Sequence, residues 1–377
     1  MSIRLRPVAT ACLLALATSI FYGLALGRQP VGPDEARVVS QAQRPIQGVP
    51  PILIDAGDRW LQPLTVYATK LAHVVQPGFF AGRWASVIVA AIGVGLLFMV
   101  GWRLFGGYIA AVAAALALIF MPAHMTFGRQ GVEAIYVVPF VVTWLYALGG
   151  FIEKDRPSQI AAASAALGAG VYSTTAAPLT MAFLWLLMIV VLLMVRRLKI
   201  STLGAAAAGF IVMLAPLAIW FGLHPDTFIE TYGSWAIHPA HIRNPVDGVL
   251  AFINRNTLGT RASAYWSLID PSYLFFPGAE GRAPLHWVLV PLLGLGIYRC
   301  FTKPKAMALI VLAGALIAPL AGAGFGQPRY IANALALLPF VALLAGYGVE
   351  MIVALIAPPP PPPPDEGYET IEHHQPR

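Results

Sequence analysis

The chain has 377 residues, of which 58% are hydrophobic and only 11% are charged. This charged share is well below the ~25% that is usual in soluble domains, which excludes an ordinary soluble globular protein. The formal net charge of +7 does not indicate nucleic-acid binding, because the basic residues lie singly between apolar segments. The composition predicts an all-α polytopic membrane protein.

The first apolar run, at about residues 7–27, follows Arg4 and Arg6. A signal peptide has a shorter apolar core and a small-residue cleavage site. This run is long and lacks such a site, so we predict a retained transmembrane helix. Nine later apolar runs bring the predicted total to ten helices, near 84–103, 107–126, 134–152, 158–175, 178–196, 202–222, 285–300, 306–323 and 331–356.

The positions of the basic residues predict the orientation of these helices. With the N-terminus in the cytoplasm, the short external connections carry only Arg129 and Arg329. The long segments 28–82 and 223–284 are then external, and residues 60–75 of the first have the spacing of an interfacial helix. We expect one transmembrane domain, residues 1–357, followed by a proline-rich, disordered cytoplasmic tail, residues 358–377.

The stretch "VGPDEARV" places two carboxylates, Asp34 and Glu35, just beyond the first helix. Charges beside hydrocarbon are costly and indicate a functional site, and Arg129, Arg329 and Glu133 are expected at the same depth. Arginine can bind a phosphate through two parallel hydrogen bonds, and a carboxylate can act as a general base. The pattern therefore indicates a site for an anionic, membrane-held substrate. Adjacent residues point in different directions, so Asp34 and Glu35 are expected to have separate roles.

Simpler interpretations of the same residues stay open at this point. The acidic pair fits a solvated loop, Arg129 and Glu133 fit an i,i+4 ion pair, and Arg329 fits a side chain that snorkels to the interface. Three histidines and an aspartate in the second external segment have no tight metal-ligand spacing, and loop packing is favoured for them: His224, His238, His241 and Asp226.

Several short motifs follow one another along the predicted external face. They are the acidic pair Asp34–Glu35, the interfacial Pro63, Leu64 and Tyr67, the helix that opens at Arg83 and closes at Arg103, the "FGRQGVE" turn with Arg129 and Glu133, "GAGVYSTTAAPL" with Tyr172, "PSYLFFPG", and "RYIANALALLPF". With these motifs in this order, the chain resembles the C-superfold (GT-C) glycosyltransferases. The branch it is similar to contains dolichyl-phosphate-mannose protein mannosyltransferase-like proteins and the bacterial aminoarabinose transferases of lipid A.

The resemblance implies an inverting, single-displacement transfer of a sugar from a polyprenyl-phosphate carrier to a hydroxyl of a lipid, glycan or protein. Asp34 would be the general base, with Glu35 as the second catalytic carboxylate, orienting the acceptor or an arginine. The implied residues for the donor phosphate are Arg329 and Arg129, then Lys70 and Arg83. Glu133 would orient Arg129, and the implied supporting residues for the substrate are Asp58, Tyr172, Tyr265 and Tyr330.

Three further expectations accompany the resemblance. Some C-superfold enzymes use a divalent metal, which leaves one open at Asp34 or Glu35, although no ligand set in the sequence demands a cofactor. The expected location is a bacterial inner membrane with the site outside the cytoplasm, in contact with membrane lipids and without nucleic acid. A transporter or flippase for a lipid-linked or anionic solute, and a non-catalytic membrane scaffold, are the alternative classes.

Overall fold

The computed structural model describes residues 7–232 except 25, 29, 47, 49 and 58, together with residues 247, 254–277 and 283–356. Within these ranges the α-helices are α1 Pro7–Gly23, α2 Pro33–Gln43, α3 Pro63–Val75, α4 Phe80–Phe105, α5 Tyr108–Phe120, α6 Pro122–Gly128, α7 Val137–Lys154, α8 Pro157–Gly170, α9 Ala177–Met194, α10 Ile200–Leu223, α11 Pro225–Tyr232, α12 Arg255–Ile269, α13 Pro271–Phe275, α14 Leu289–Thr302, α15 Ala306–Gly324 and α16 Leu337–Ile356. The predicted tail, 358–377, lies outside the described residues.

The remaining described elements are small and lie between the helices. Three short 3-10 helices cover Leu26–Arg28, Glu133–Tyr136 and Ile331–Ala334. A two-stranded antiparallel hairpin joins β1, Ile54–Asp55, to β2, Trp60–Leu61, with Ile54 opposite Leu61. No other sheet is present in the part of the chain that the structure describes, so the all-α prediction is confirmed.

Proline sets the start of several helices. Pro33, Pro63, Pro122, Pro157 and Pro271 are the first residues of α2, α3, α6, α8 and α13. Proline suits this position because the first helical N–H has no partner within the helix, and its fixed φ angle is already helical. The helix α3, Pro63–Val75, confirms a helix within the predicted interfacial segment.

The prediction of ten spans is not confirmed. Among the described residues, six helical stretches are long and apolar enough to cross a membrane: Phe80–Phe105, Glu133–Lys154, Ala177–Met194, Ile200–Leu223, Ala306–Gly324 and Leu337–Ile356. The bent pair α5 and α6 makes up to seven. Helices α1 and α14 are apolar but shorter than 18 residues, below the ~20 residues that a straight span needs. The protein is a polytopic membrane protein.

The predicted helix at 107–126 is broken rather than continuous. Helices α5 and α6 meet at an angle of 63°, because Pro122 cannot donate a hydrogen bond to the preceding turn. The hydroxyl of Tyr22 donates to the carbonyl oxygen of Ile119 at 2.7 Å and contacts His124 Nδ1 at 2.8 Å. These contacts tie α1 to the end of α5 and the first turn of α6, on both sides of the bend.

The core is formed by helices packed around α16, whose residues 337–348 are all buried. Helices α14 and α16 approach closely at two glycines. A Cβ atom added at Gly296 would lie 1.9 Å from the carbonyl oxygen of Leu344, and one added at Gly348 would lie 2.1 Å from that of Leu292. Small residues permit such backbone contacts between membrane helices.

The helix bundle has two distinct ends. One end, which we call the site face, carries α2, α3, the hairpin and the Glu133–Tyr136 turn. The other end, the opposite face, carries the ion pairs Lys199–Asp155 at 2.7 Å and Arg103–Glu153 at 3.3 Å. The candidate residues Asp34, Glu35, Lys70 and Glu133 belong to these site-face elements.

Candidate active site

Helix α2 separates the two carboxylates of the acidic pair. Asp34 and Glu35 occupy the second and third positions of this helix, after Pro33, and successive residues of an α-helix are turned by about 100°. The Asp34 side chain is therefore 44% exposed, whereas that of Glu35 is only 7% exposed. The helix itself was not predicted, because residues 33–43 contain no long apolar run. The separate roles predicted for the two carboxylates stay a prediction.

Glu35 forms a buried ion pair with Arg83, the first basic residue of α4. Arg83 Nη2 lies 2.7 Å from Glu35 Oε2, and its Nε donates to Oε1 at 2.9 Å. The backbone N–H groups of Gly131 and Gly32 donate to the same carboxylate at 2.7 and 3.1 Å. Arg83 also donates to the carbonyls of Pro30 and Leu26. The pair thus ties α2 to α4, to the chain after α1 and to the turn after α6.

This geometry favours a structural role for both members of the pair. Burial by itself would raise the pKa of Glu35, but the hydrogen bonds from Arg83, Gly131 and Gly32 outweigh it and lower that pKa. A carboxylate with four donors has little capacity left as a base. Arg83 is 2% exposed, so the expectation that it contacts a donor phosphate is corrected: its guanidinium is enclosed by Glu35 and backbone carbonyls.

Asp34 faces two guanidinium groups at the surface. Its Oδ1 accepts from Arg37 Nη1 at 2.7 Å and lies 3.4 Å from Arg59 Nη2. Arg59 stands in the turn between β1 and β2, where its carbonyl accepts from the N–H of Ala56 at 3.0 Å and Gly57 takes a positive φ of 94°. The hairpin therefore places a cation directly beside the exposed carboxylate.

Glu133 lies close to one of these cations, Arg59. Its Oε1 accepts from the N–H and the hydroxyl of Thr175 at 3.2 and 3.0 Å, and Glu133 and Arg59 line one small cavity. Tyr330 completes the group: burial raises the pKa of its phenol, and the nearby charges of Asp34 and Glu133 add to the shift. We call Asp34, Arg37, Arg59, Glu133 and Tyr330 the charged cluster.

The i,i+4 helical geometry predicted for Arg129 and Glu133 is not formed, and the role of Glu133 in orienting Arg129 stays a prediction. Residues 129–132 lie between α6 and the turn Glu133–Tyr136, so the two side chains are not on one helix and the i,i+4 geometry is lost. Arg129 instead donates to the carbonyl of Phe21 at 3.1 Å, and its guanidinium lies 5.3 Å from the ring centres of Phe21 and Tyr22. It therefore packs against the end of α1.

Arg329 stands beside the charged cluster with an exposed side chain. Its side chain is 60% exposed and lies 3.5 Å from Asp270, which also caps α13 through the N–H of Ser272. Arg329 has a φ of 55°, in the left-handed region, and its N–H donates to the hydroxyl of Ser267 at 3.0 Å. This backbone geometry holds the next residue, Tyr330, at the cluster and leaves the guanidinium directed to the surface.

Three other candidates have structural contacts. Lys70 Nζ donates to the carbonyls of Ala42 and Arg44, at the end of α2. The hydroxyl of Tyr265 donates to the carbonyl of Leu316 at 2.9 Å. The hydroxyl of Tyr172 contacts the backbone of α10. Three further candidates from the sequence lie outside the described residues: Asp58, His238 and His241.

An apolar groove opens at the C-terminal end of α10. It has a volume of about 550 Å³ and is lined by Pro50, Pro51, Ile52, Pro216, Ile219, Trp220, Leu223 and His224. The wall at residues 50–52 leads directly into β1 and hence to Arg59. On the other side, Glu230 of α11 accepts from Trp60 Nε1 at 2.6 Å. The groove and the charged cluster are therefore connected through the hairpin.

The described residues do not fit a divalent metal at the acidic pair. Asp34 faces two guanidinium groups and Glu35 is enclosed by its four donors, whereas Mg²⁺ and Ca²⁺ need several free oxygen ligands. No group of three or more His, Cys, Asp or Glu side chains with metal-binding geometry occurs in the described part of the chain. The ring of His224 contacts that of Trp220, with ring centres 4.4 Å apart and the planes tilted by 42°.

Sequence reasoning missed Arg37 and Arg59 as functional candidates. The i,i+3 spacing of Asp34 and Arg37 on a helix would have indicated the first contact, but it requires α2 to be predicted. Nothing in the sequence points to the second contact, because Arg59 reaches Asp34 only through the fold of the hairpin.

Comparison with known proteins identifies the fold. The family model of the dolichyl-phosphate-mannose-protein mannosyltransferases matches residues 62–220. The crystal structure of ArnT from Cupriavidus metallidurans bound to undecaprenyl phosphate superimposes with a TM-score of 0.59 at 18% identity, covering 91% of this chain. The apo structure of the same protein gives a TM-score of 0.60 at 18% identity and covers 90% of this chain.

These matches have a defined extent. The chain spans 60% of the ArnT chain in the bound structure and 59% in the apo structure. No curated protein sequence matches the chain. The fold is thus the ArnT-like C-superfold (GT-C) architecture, in agreement with the resemblance seen in the sequence motifs.

Proposed function

We propose that this protein is a glycosyltransferase that takes a sugar from a polyprenyl-phosphate carrier and transfers it to a hydroxyl of a lipid, glycan or protein. The matched family and ArnT both support this class, because dolichyl and undecaprenyl phosphates are polyprenyl phosphates. The observation that carries the proposal is the apolar groove that the hairpin connects to the charged cluster, a combination that suits a lipid chain with an anionic head.

The site face is assigned to the extracytoplasmic side of the membrane. The short connections at the opposite face, with the helix ends beside them, carry Arg103, Lys154, Arg197, Lys199 and Arg299, whereas the short connections at the site face carry Arg129 and Arg329. Cytoplasmic connections are enriched in Lys and Arg, so this distribution supports cytoplasmic N- and C-termini. A bacterial inner membrane remains part of the same proposal, by analogy with ArnT.

In the proposed donor complex, the lipid chain lies in the groove and its phosphate faces Arg59 and Arg329. Arginine suits this role because its fork makes charge-assisted hydrogen bonds to phosphate oxygens. Both side chains are partly exposed, so an incoming phosphate reaches them without unfolding the site. Arg129 and Lys70, which were expected to bind phosphate, have backbone carbonyl partners and are weaker candidates.

Asp34 is the proposed general base. It accepts the proton of the acceptor hydroxyl while the acceptor oxygen attacks the anomeric carbon of the sugar. The bond between that carbon and the phosphate oxygen breaks, and the electron pair leaves with the polyprenyl phosphate. A single displacement inverts the anomeric configuration. Arg59 neutralises the phosphate charge, and positioning supplies much of the rate.

The decisive experiment supplies the purified protein in nanodiscs with a panel of polyprenyl-phosphate sugars and measures free polyprenyl phosphate and sugar-modified acceptor. We expect at least one donor to be consumed with transfer of its sugar. Donor translocation across a liposome membrane without release of the carrier would instead establish the transporter class. If no donor binds and none is consumed, both the glycosyltransferase and the transporter class are contradicted, and the scaffold class is left.

Replacement of Arg59 by glutamine is expected to raise the donor KM about tenfold to a hundredfold, because one charge-assisted hydrogen bond to phosphate contributes ~1.5–3 kcal/mol. The measurement is the donor dependence of the initial transfer rate. Arg44→Gln is the matched control, since Arg44 is an exposed arginine of the same connecting segment whose carbonyl, not its side chain, contacts Lys70. An unchanged KM in Arg59→Gln would remove Arg59 from the phosphate site.

A further inference from the structure

Helix α10 is interrupted by a side chain from another segment. The hydroxyl of Tyr172 donates to the carbonyl of Met213 at 2.7 Å and accepts from the N–H of Leu217 at 3.2 Å. These two backbone groups are partners in a regular α-helix. Pro216, at the same turn, has no N–H to donate. A hydroxyl that enters the backbone ladder beside a proline bends a helix at a defined place.

This interruption lies at the start of the apolar groove. Pro216 itself lines the groove, followed one turn later by Ile219 and Trp220. The direction of the last two turns of α10, and hence the width of the groove, depends on how the ladder opens at Met213. Tyr172 is the side chain that occupies this opening.

The segment that carries Tyr172 also contacts one member of the charged cluster, Glu133. Tyr172 follows α8, and three residues later Thr175 donates twice to the carboxylate of Glu133. One short turn, residues 171–176, thus contacts the groove wall at one end and Glu133 at the other. Such a turn can fix the separation of the two sites only while both contacts are made.

We propose that Tyr172 is a positioning residue that sets the apolar groove relative to the charged cluster, so that a lipid chain in the groove presents its phosphate to Arg59. This inference rests on the proposed function and deepens it. It also replaces the expectation that Tyr172 contacts the substrate directly, because its hydroxyl is engaged by the backbone of α10. The ligand class that depends on Tyr172 is a long-chain polyprenyl phosphate rather than the sugar.

The test compares wild type with Tyr172→Phe using two donors that carry the same sugar on a long or a short polyprenyl chain. We expect the KM of the long-chain donor to rise about five- to tenfold, since both hydrogen bonds of the Tyr172 hydroxyl to the backbone of α10 are lost. The KM of the short-chain donor, which does not fill the groove, and the kcat of both donors should stay close to wild type. Tyr298→Phe is the matched control, because it also removes one tyrosine hydroxyl, but from an exposed residue of α14 away from the site face.

Each other result overturns a specific part of the inference. Wild-type kinetics of Tyr172→Phe with both donors would show that Tyr172 does not position the groove. An equal loss with long and short chains would return Tyr172 to direct contact with the head group. If wild type transfers no sugar, the proposed function fails. The inference about Tyr172 is then tested by the binding of long- and short-chain polyprenyl phosphate without a sugar. Only the affinity for the long-chain compound should depend on Tyr172.

Discussion

Substitution of Asp34 by asparagine is expected to lower sugar transfer by roughly 10²–10⁴-fold, the range that a general base contributes. Asparagine keeps the size of the side chain and can still accept a hydrogen bond from Arg37, but it cannot take a proton from the acceptor. Because the side chain is 44% exposed, the change should leave the fold intact. The measurement is the initial rate of sugar transfer with saturating donor and acceptor.

Asp226→Asn provides the matched control, since Asp226 is an exposed residue of α11 at the same site face and is not a member of the charged cluster. This variant should transfer sugar at the wild-type rate. Donor binding should survive in Asp34→Asn, which separates a missing base from a lost binding site. Equal turnover of Asp34→Asn and wild type would show that Asp34 is not the base, and Glu133 would then be the next carboxylate to test.

The positions of the helices were largely predictable because the signals are local. Apolar runs and initial prolines mark most of them, and α4, α10 and α15 lie within a few residues of their predicted limits. Helix α2 was missed because its eleven residues are mostly polar. The break between α5 and α6 was missed because proline is tolerated within many membrane helices, and only the surrounding packing decides whether the helix bends.

The partners of the candidate residues could not be predicted in the same way. Glu35 meets Arg83 across 48 positions and the N–H of Gly131 across 96. In the sequence, Arg83 looks available as a phosphate ligand. Its enclosure by Pro30, Leu26 and Glu35 arises only when the chain folds. The acidic pair itself was recognisable from the sequence, but which carboxylate is exposed depends on the orientation of α2 against α4.

The buried pair of Glu35 and Arg83 leads to the largest expected effect on stability. Replacing Glu35 by glutamine keeps the shape of the side chain but leaves the Arg83 guanidinium, 2% exposed, without its counter-charge. Removal of one partner of a buried ion pair costs ~3–5 kcal/mol. We therefore expect a markedly lower unfolding temperature in detergent, measured by intrinsic fluorescence.

Lys199→Gln serves as the comparison, because it removes one partner of an ion pair that is exposed at the opposite face. Water screens such a pair, so the unfolding temperature should change little. If Glu35→Gln unfolds at the same temperature as wild type, the buried pair does not hold α2 against α4, and Glu35 becomes available again for a catalytic role.

Acidification provides an independent test of the same pair. The pKa of Glu35 is lowered in the folded protein, since the hydrogen bonds from Arg83 and two backbone N–H groups outweigh the effect of burial. The stability that Glu35 contributes is therefore complete above its unfolded pKa of ~4.3 and is lost as the pH falls further, through the lower pKa of the folded state. Wild type and Glu35→Gln should differ most at neutral pH, and the difference should shrink as the pH falls below the unfolded pKa of ~4.3 toward the lower folded pKa. A difference in unfolding temperature that persists unchanged into acid would mean that the charge of Glu35 does not stabilise the fold.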